Sequence, residues 1–426
     1  MNSRTDSSRS GALQGGAASF DRARPARMPL AARSVLAMLR KLRYGRLELR
    51  LPDGSMLSLG GAERDQALAQ VQVSDWSVFG AVLRRGDIGF AEGYMSGQWT
   101  TTDLPGLLGL LAANRAALER ALHGSPLGTL LDRLRHGLLR RNTRRGSRDN
   151  IHAHYDLGND FYRLWLDPGM NYSSALFTET GMSLEQAQQA KLDRVLRELQ
   201  PRPGQRVVEL GCGWGGFAET AARAGLEVDG ITLSDRQLEF ARARLRDAGL
   251  DARARVHLCD YRDARRLSPA DGFDALASIE MFEAVGERYW KGFFRVLADS
   301  LRTGGRACVQ SITIDEALFP SYRGGTDFIQ QYIFPGGMLP TRKLFRQLAA
   351  AAGLEVVDEF AFGRDYATTL AAWRQRFAQL TQSLQEQGFD QRFRLLWDFY
   401  LAYCEAGFAQ GSTDVVQFTL RKSGRP

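Results

Sequence analysis

The stretch Arg206–Phe217, RVVELGCGWGGF, places Gly211, Gly213, Gly215 and Gly216 within six residues, directly after a short apolar run. Glycine lacks a Cβ, so such a segment lets the backbone turn tightly and approach a ligand closely. Set between a strand and a helix, it would aim backbone amides at that ligand. The downstream pattern supports this placement. Strand candidates Arg206–Leu210, Val228–Thr232, Arg255–Cys259, Phe273–Ile279 and Ala307–Ile314 alternate with helical segments, and the helix ahead of them opens with Ser183 and Gln186 at capping-box spacing. Such alternation predicts a mostly parallel sheet with helices on both faces.

Gly211, Gly213 and Gly216 satisfy GxGxxG, which both dinucleotide-binding dehydrogenases and methyltransferases that use S-adenosylmethionine (SAM) place at this point. A dinucleotide site calls for an acid at the end of the second strand, to hold a ribose. Here the stretch GITLSD puts Thr232 and Ser234 there, with Asp235 just beyond. Glu209, inside the loop's own strand, matches the acid that opens the methyltransferase pattern ExGxGxG. SAM is therefore the expected cofactor.

A chain of 426 residues suggests two domains. Lys plus Arg number 56 and Asp plus Glu 48, a formal net charge of +8, which favours an anionic partner such as nucleic acid or an acidic membrane surface. Cys212, Cys259, Cys308 and Cys404 show no CxxC spacing, so no metal site or disulfide framework is indicated, and a reducing cytoplasm is expected. The longest apolar run, Leu104–Ala113, falls short of the ~20 residues that cross a bilayer. Residues 1–33 are rich in Ser, Ala, Gly and Arg; this composition suits a disordered tail or an organellar transit peptide, and the lack of an apolar helix face favours the tail.

From Tyr44, alternating residues predict a hairpin about Pro52-Asp53-Gly54, with Leu47, Leu49 and Leu51 on one face. Helical patterns follow, so residues 34–122 are expected to form a small α+β domain. Residues 123–150 read as a basic linker, in which Arg133, Arg135, Arg140, Arg141, Arg144, Arg145 and Arg148 face only Asp132 and Asp149. Such a stretch suits either an anionic membrane surface or a solvated linker.

Eight ordered motifs then become recognisable: HYDLGNDFYRLWLDPGMNYSSALF, LGCGWGG, GITLSDRQ, CDYRD, SIEMFEAVGERYW, TDFIQQYIFPGGMLP, FGRDYATTLAAW and YLAYCEAGF. Over residues 151–421, and more loosely over 40–122, the chain resembles the cyclopropane-fatty-acyl-phospholipid synthase family, which includes mycolic acid methyltransferases. The resemblance implies an α/β fold: a class I SAM-methyltransferase (Rossmann-like) domain over 151–426, preceded by the small N-terminal domain. It implies methyl transfer from SAM to the cis double bond of unsaturated phospholipid acyl chains, forming a cyclopropane. The location implied is cytoplasmic and peripheral at the inner face of the membrane. No nucleic-acid partner is expected, and a homodimer is compatible with it.

By the same resemblance, Glu209, Gly211, Cys212, Gly213, Trp214 and Gly215 would cradle the methionine part of SAM. Thr232, Leu233, Ser234 and Gln237 would stand at its ribose and adenine side, Tyr172 and Ser173 would close over it, and Tyr261 and Arg262 would line the adenine pocket. Gln237 also has a helix-capping reading with Ser234, and Arg262 that of a surface ion pair. The family holds a bicarbonate ion as base, and the corresponding positions here are Ser174, Glu283, Gln310, Ile312 and Tyr366. Two depart from the pattern: Ser174 stands for a cysteine and Gln310 for a histidine, so bicarbonate retention is not implied. Loss of that base would leave methyl transfer intact and favour a methyl- or methylene-branched chain. Cys404 occupies a cysteine once regarded as catalytic in the family, with a core thiol as its plainer reading and Glu405 beside it as a further carboxylate. Tyr172, Phe177, Phe282, Tyr332, Phe334 and Tyr366 are candidates to stabilise a carbocation, each with an ordinary packing role as the alternative.

Two rival readings use the same residues. A soluble small-molecule methyltransferase would not need the N-terminal domain, and a non-catalytic lipid-binding protein would not need Glu209, Glu283 and Tyr366 intact.

Overall fold

Alternation along RLELRLPDGSMLSLG builds the first sheet. In the computed structural model, which describes residues 28–60, 68–122 and 157–424, β1 (Arg46–Arg50) and β2 (Met56–Gly60) pair antiparallel, with Leu47 opposite Leu59. Leu47, Leu49 and Leu51 are buried on one face, as the period of two requires. β3 (Leu68–Val73) runs parallel to β1 and turns Ala69, Val71 and Val73 inward; β4 (Trp99–Thr100) closes the order β2-β1-β3-β4. The helices α1 (Leu30–Leu39), α2 (Ser77–Met95) and α3 (Leu104–Ala113) belong to the same module. Asp103 caps α3 by accepting from Gly106 N–H at 3.0 Å, with Pro105 in the first turn, which fixes where the apolar run becomes helical.

One boundary changes. Residues 30–33, assigned to the tail, belong instead to α1, which starts at Leu30, and Ala32 has no exposed surface. Its apolar residues Val35 and Leu36 pack into the module, a contact not visible in the composition of the tail. Residues 1–27 and the basic linker, 123–150, lie outside the described residues.

The second sheet has seven strands in the order β10-β11-β9-β8-β5-β6-β7. They are β5 (Arg206–Leu210), β6 (Glu227–Thr232), β7 (Ala254–Leu258), β8 (Phe273–Ile279), β9 (Leu301–Ile314), β10 (Leu354–Ala361) and β11 (Thr413–Lys422). The five predicted strands are present, whereas β10 and β11 were not anticipated; β11 runs antiparallel between β9 and β10. Helices around the sheet include α4 (Leu184–Leu199), α5 (Gly216–Arg223), α6 (Asp235–Asp247), α7 (Trp290–Ser300), α8 (Gly363–Ala378) and α9 (Gln391–Ala409). Both reciprocal bonds of the Ser183–Gln186 capping box form at the start of α4. Strand order reverses between β5 and β8, so a crevice opens at the carboxyl ends of these two strands, where ligands bind in such sheets.

The two modules share one apolar core, which runs from Leu36 and Leu49 to Phe399 and Tyr400 on α9. Burying each such side chain contributes about 1.5–3 kcal/mol. Polar bonds fix the register of the contact: Tyr94 OH donates to Asp398 at 2.7 Å, Tyr403 OH to Asp87 at 3.0 Å and Tyr332 OH to Glu92 at 2.5 Å. Among the described residues, no helix is long and apolar enough to cross a membrane.

Candidate active site

The glycine loop lies at the crevice that the sheet order defines. Gly211 (φ +79°), Gly213 (φ +52°) and Gly215 (φ +83°) all adopt the left-handed region that favours glycine. Their surroundings differ. A Cβ at Gly211 would stand 2.7 Å from the Met281 side chain and one at Gly215 3.1 Å from Ala241, whereas one at Gly213 would meet no protein atom within 4 Å. Gly213 faces the cavity, so its bare backbone is the surface offered to a ligand.

Of the fourteen residues expected around SAM, Tyr172, Ser173, Glu209, Gly211, Cys212, Gly213, Trp214, Thr232, Leu233, Gln237 and Tyr261 line this cavity. Three do not. Gly215 serves the turn into α5; Ser234 caps α6, its Oγ accepting from Gln237 N–H at 3.3 Å; Arg262 is tied to Asp260 at 2.7 Å, the ion-pair reading. The Gln237 side chain does not complete a capping box, because its Oε1 accepts from Thr232 Oγ1 at 2.9 Å. Asn171, Lys191, Cys259 and Met281 also line the cavity and were not anticipated.

The electrostatics fit a cationic ligand. Glu209 is buried and its Oε2 has no hydrogen-bond partner, and burial pushes its carboxyl up to about 8. Lys191, on α4, donates to Ser173 Oγ at 2.7 Å, and burial pulls its ammonium down to about 8. An approaching cation would restore the charge of Glu209, so the orphaned oxygen and the bare Gly213 suit the ammonium and sulfonium groups of SAM.

The base site departs from expectation in a specific way. Glu280, at the end of β8, sits at φ +50°, a conformation costly for a residue with a side chain. Its carboxylate accepts from Ser174 N–H at 2.8 Å, Gln310 Nε2 at 2.7 Å and Tyr366 OH at 2.7 Å. The fourth donor, Ile312 N–H, is taken by Glu283 at 2.5 Å. Every one of these positions assigned to bicarbonate is thus already engaged by a protein carboxylate. Arg194 donates to Gln417 Oε1 at 2.8 Å and Gln417 to Gln310 Oε1 at 3.0 Å, which turns the Gln310 amide so that its nitrogen faces Glu280.

Burial and the Glu280 charge push Glu283 up to about 8, and burial also raises Glu280. The negative charge of Glu280 disfavours a second charge on Glu283, so the two carboxyls do not ionise independently. Glu280, with three donors, is the better-solvated anion, and Glu283, whose Oε2 has no partner, is the better proton carrier.

Other candidates resolve differently. The Cys404 thiol is pushed well above its ordinary value by burial, which removes thiolate character and supports its packing role. Glu405 pairs with Arg374 at 3.0 Å. Phe282 is wholly buried among Phe293, Phe294 and Phe345 in a second apolar core, distinct from the one that the two modules share, and Tyr332 is committed to Glu92. Phe177 and Phe334 are half-buried at the edge of the first core. Tyr172 lies among aromatic rings, with Trp165 and Trp373 each 5.5 Å away and its hydroxyl 2.7 Å from that of Tyr400; Tyr366 meets Trp373 edge-on at 6.2 Å.

A seven-stranded sheet with this order, a glycine loop at its switch point and an acid in the loop's strand with one oxygen left unpartnered define a SAM-dependent methyltransferase. The chain belongs to the mycolic acid cyclopropane synthetase family, whose sequence profile matches residues 142–418. It is 37% identical over 412 residues to the tuberculostearic acid methyltransferase of Mycobacterium tuberculosis, covering 94% of each chain. It is 34% identical over 370 residues to the cyclopropane-fatty-acyl-phospholipid synthase of Escherichia coli strain K12, covering 83% of this chain and 88% of the other. Among solved structures, a mycolic acid cyclopropane synthase complexed with SAH and CTAB superposes with a TM-score of 0.59 at 30% identity, over 65% of this chain and 98% of that one.

Proposed function

We propose that the protein methylates the cis double bond of an unsaturated fatty acyl chain in a phospholipid and releases a branched, still unsaturated chain rather than a cyclopropane. The observation that carries this reading is Glu280, seated on the donors that the family resemblance assigns to bicarbonate. When bound, SAM supplies an electrophilic methyl group on its sulfonium. Attack of the alkene π pair on that methyl group, with the sulfur departing as a neutral thioether, would leave a cation on the neighbouring carbon. Tyr172 and Tyr366, backed by Trp165 and Trp373, offer aromatic faces to that cation, and burial keeps water from capturing it.

A proton must then leave, and its C–H pair closes either a ring or a double bond. Glu280 is placed by the backbone of β8 and by three donors, so it cannot drift toward the new methyl group as a free anion could. Its carboxylate accepts a proton released on elimination, with Glu283 and Tyr366 as its neighbours.

Lipids from cells expressing the protein, supplied with methionine deuterated at its methyl group, test the reading. The expected product gains one labelled carbon and takes up hydrogen under mild catalytic hydrogenation. A labelled product that resists hydrogenation as a cyclopropane does would overturn the branching assignment; no labelled acyl chain at all would overturn the substrate.

A phospholipid substrate requires access to a membrane surface. Among the described residues, five of the seven exposed large hydrophobics, Leu30, Tyr44, Met56, Leu68 and Leu83, lie in the N-terminal module. With the arginines of the linker adding roughly 1 kcal/mol per basic residue near an anionic surface, the protein is expected to sediment with phosphatidylglycerol vesicles and to detach as salt rises. Equal, salt-independent binding to phosphatidylcholine vesicles would remove the linker from the account.

A further inference from the structure

Between the N-terminal module and the methyltransferase module lies a second cavity of about 490 Å³. Leu49, Val73, Phe79 and Trp99 line it from one side and Ile314 and Phe399 from the other. The volume falls within the ~300–1,000 Å³ typical of ligand sites.

The cavity begins one pleat from the carboxylate pair. Residues two apart on a strand share a face and stand about 6.6 Å apart, so Ile314 in the cavity wall follows Ile312, whose N–H holds Glu283. Leu339, also in the wall, adjoins Met338, whose N–H donates to the Glu283 carbonyl at 3.0 Å. A straight aliphatic chain reacting beside Glu280 and Glu283 would reach the cavity within a few methylenes.

From this proximity we infer that the cavity holds the methyl-terminal segment of the acyl chain being methylated. The inference rests on the acyl substrate proposed above. The methyl end is chosen because it alone carries no polar group, and the polar side of this cavity offers little to a headgroup. Asp87 accepts from Phe328 N–H at 3.2 Å and Tyr403 OH at 3.0 Å, and Asp327 from Gln330 N–H at 2.8 Å. Burial raises both carboxyls, Asp327 to about 7, and Arg115 in the same wall offsets what charge remains.

Trp99 provides a readout that needs no turnover. Two mixed-chain phosphatidylglycerols are compared with the full-length protein: one brominated at the methyl end of the unsaturated chain, the other at the methyl end of the saturated chain. The first is expected to quench tryptophan fluorescence, and Trp99→Phe should remove most of that quenching. Val82→Phe, which narrows the wall, should weaken the quenching at least fivefold and lower methyl transfer at least tenfold on chains with long tails beyond the double bond, while sparing short ones. If only the saturated-chain bromide quenches, the cavity holds the other acyl chain and the inference falls. It also falls if neither lipid quenches through Trp99 while methyl transfer proceeds. Quenching by the first lipid without any methyl transfer would instead overturn the proposed reaction and leave the cavity assignment standing.

Discussion

Gly213→Val is expected to lower SAM affinity by about 100-fold or more, equivalent to about 2.8 kcal/mol, while the protein stays folded. A Cβ there meets no protein atom within 4 Å, so the new side chain costs the fold only the left-handed backbone strain of about 1–2 kcal/mol. That is tolerable against a typical stability of about 5–15 kcal/mol. The methyls of valine would instead fill cavity space beside Glu209, where the ligand must lie against bare backbone. Gly211 is a poorer probe, because its Cβ would strike Met281 at 2.7 Å and disturb the fold together with the site. Gly249→Val supplies the control: Gly249 sits at φ +68° with nothing within 4 Å, away from the cavity. Calorimetry should show near-normal SAM binding for that variant. If Gly213→Val binds as tightly as the parent protein, the loop does not hold the cofactor.

How far the sequence could be read depended on where polarity was hidden. β5 to β9 followed from apolar runs alternating with helical patterns, and the glycines marked the crevice between β5 and β8. β11 was not anticipated because Val415–Leu420 is buried on both faces, yet Gln417 and Thr419 break the continuous apolar run that such a strand ordinarily shows. Gln417 is tolerated only because Arg194 and Gln310 satisfy both ends of its amide, partners 223 and 107 residues away in the chain. Long-range pairing of this kind leaves no local signal. The start of α1 was lost for a similar reason, since Ala32 is buried only by the tertiary packing of a module whose other parts lie downstream.

The most consequential residue that sequence reasoning passed over is Glu280, although it stood in the quoted stretch SIEMFEAVG, three residues before the glutamate that was singled out. Nothing local shows that residue 280 turns left-handed, and only that turn brings its carboxylate back onto Ser174, Gln310 and Tyr366. By composition alone, Ser174 and Gln310 weaken a site for a free anion, since neither carries a positive charge. In the structure they serve a site whose anion belongs to the chain: the backbone of Ser174 rather than its hydroxyl makes the contact, and a neutral amide suffices at 310.

Glu280→Gly should therefore change both rate and product. Glycine relaxes at φ +50°, so the substitution removes the carboxylate without adding strain and leaves Ser174 N–H, Gln310 Nε2 and Tyr366 OH facing a small vacated space. A positioned base contributes about 10²–10⁴-fold, and methyl transfer in bicarbonate-free buffer is expected to fall by about 100-fold or more, with SAM affinity changed far less. Added bicarbonate would have donors to occupy, so it should restore part of the rate and, being free to settle against the new methyl group, raise a cyclopropane fraction. Glu280→Gln separates charge from space. Its side chain fills the same position without an anion, so it should lose activity to a similar extent and gain nothing from bicarbonate. Rates and product ratios measured for the two variants across a bicarbonate series decide the matter: a glycine variant with the parent rate and product, indifferent to bicarbonate, would show that Glu280 neither replaces the anion nor directs the proton.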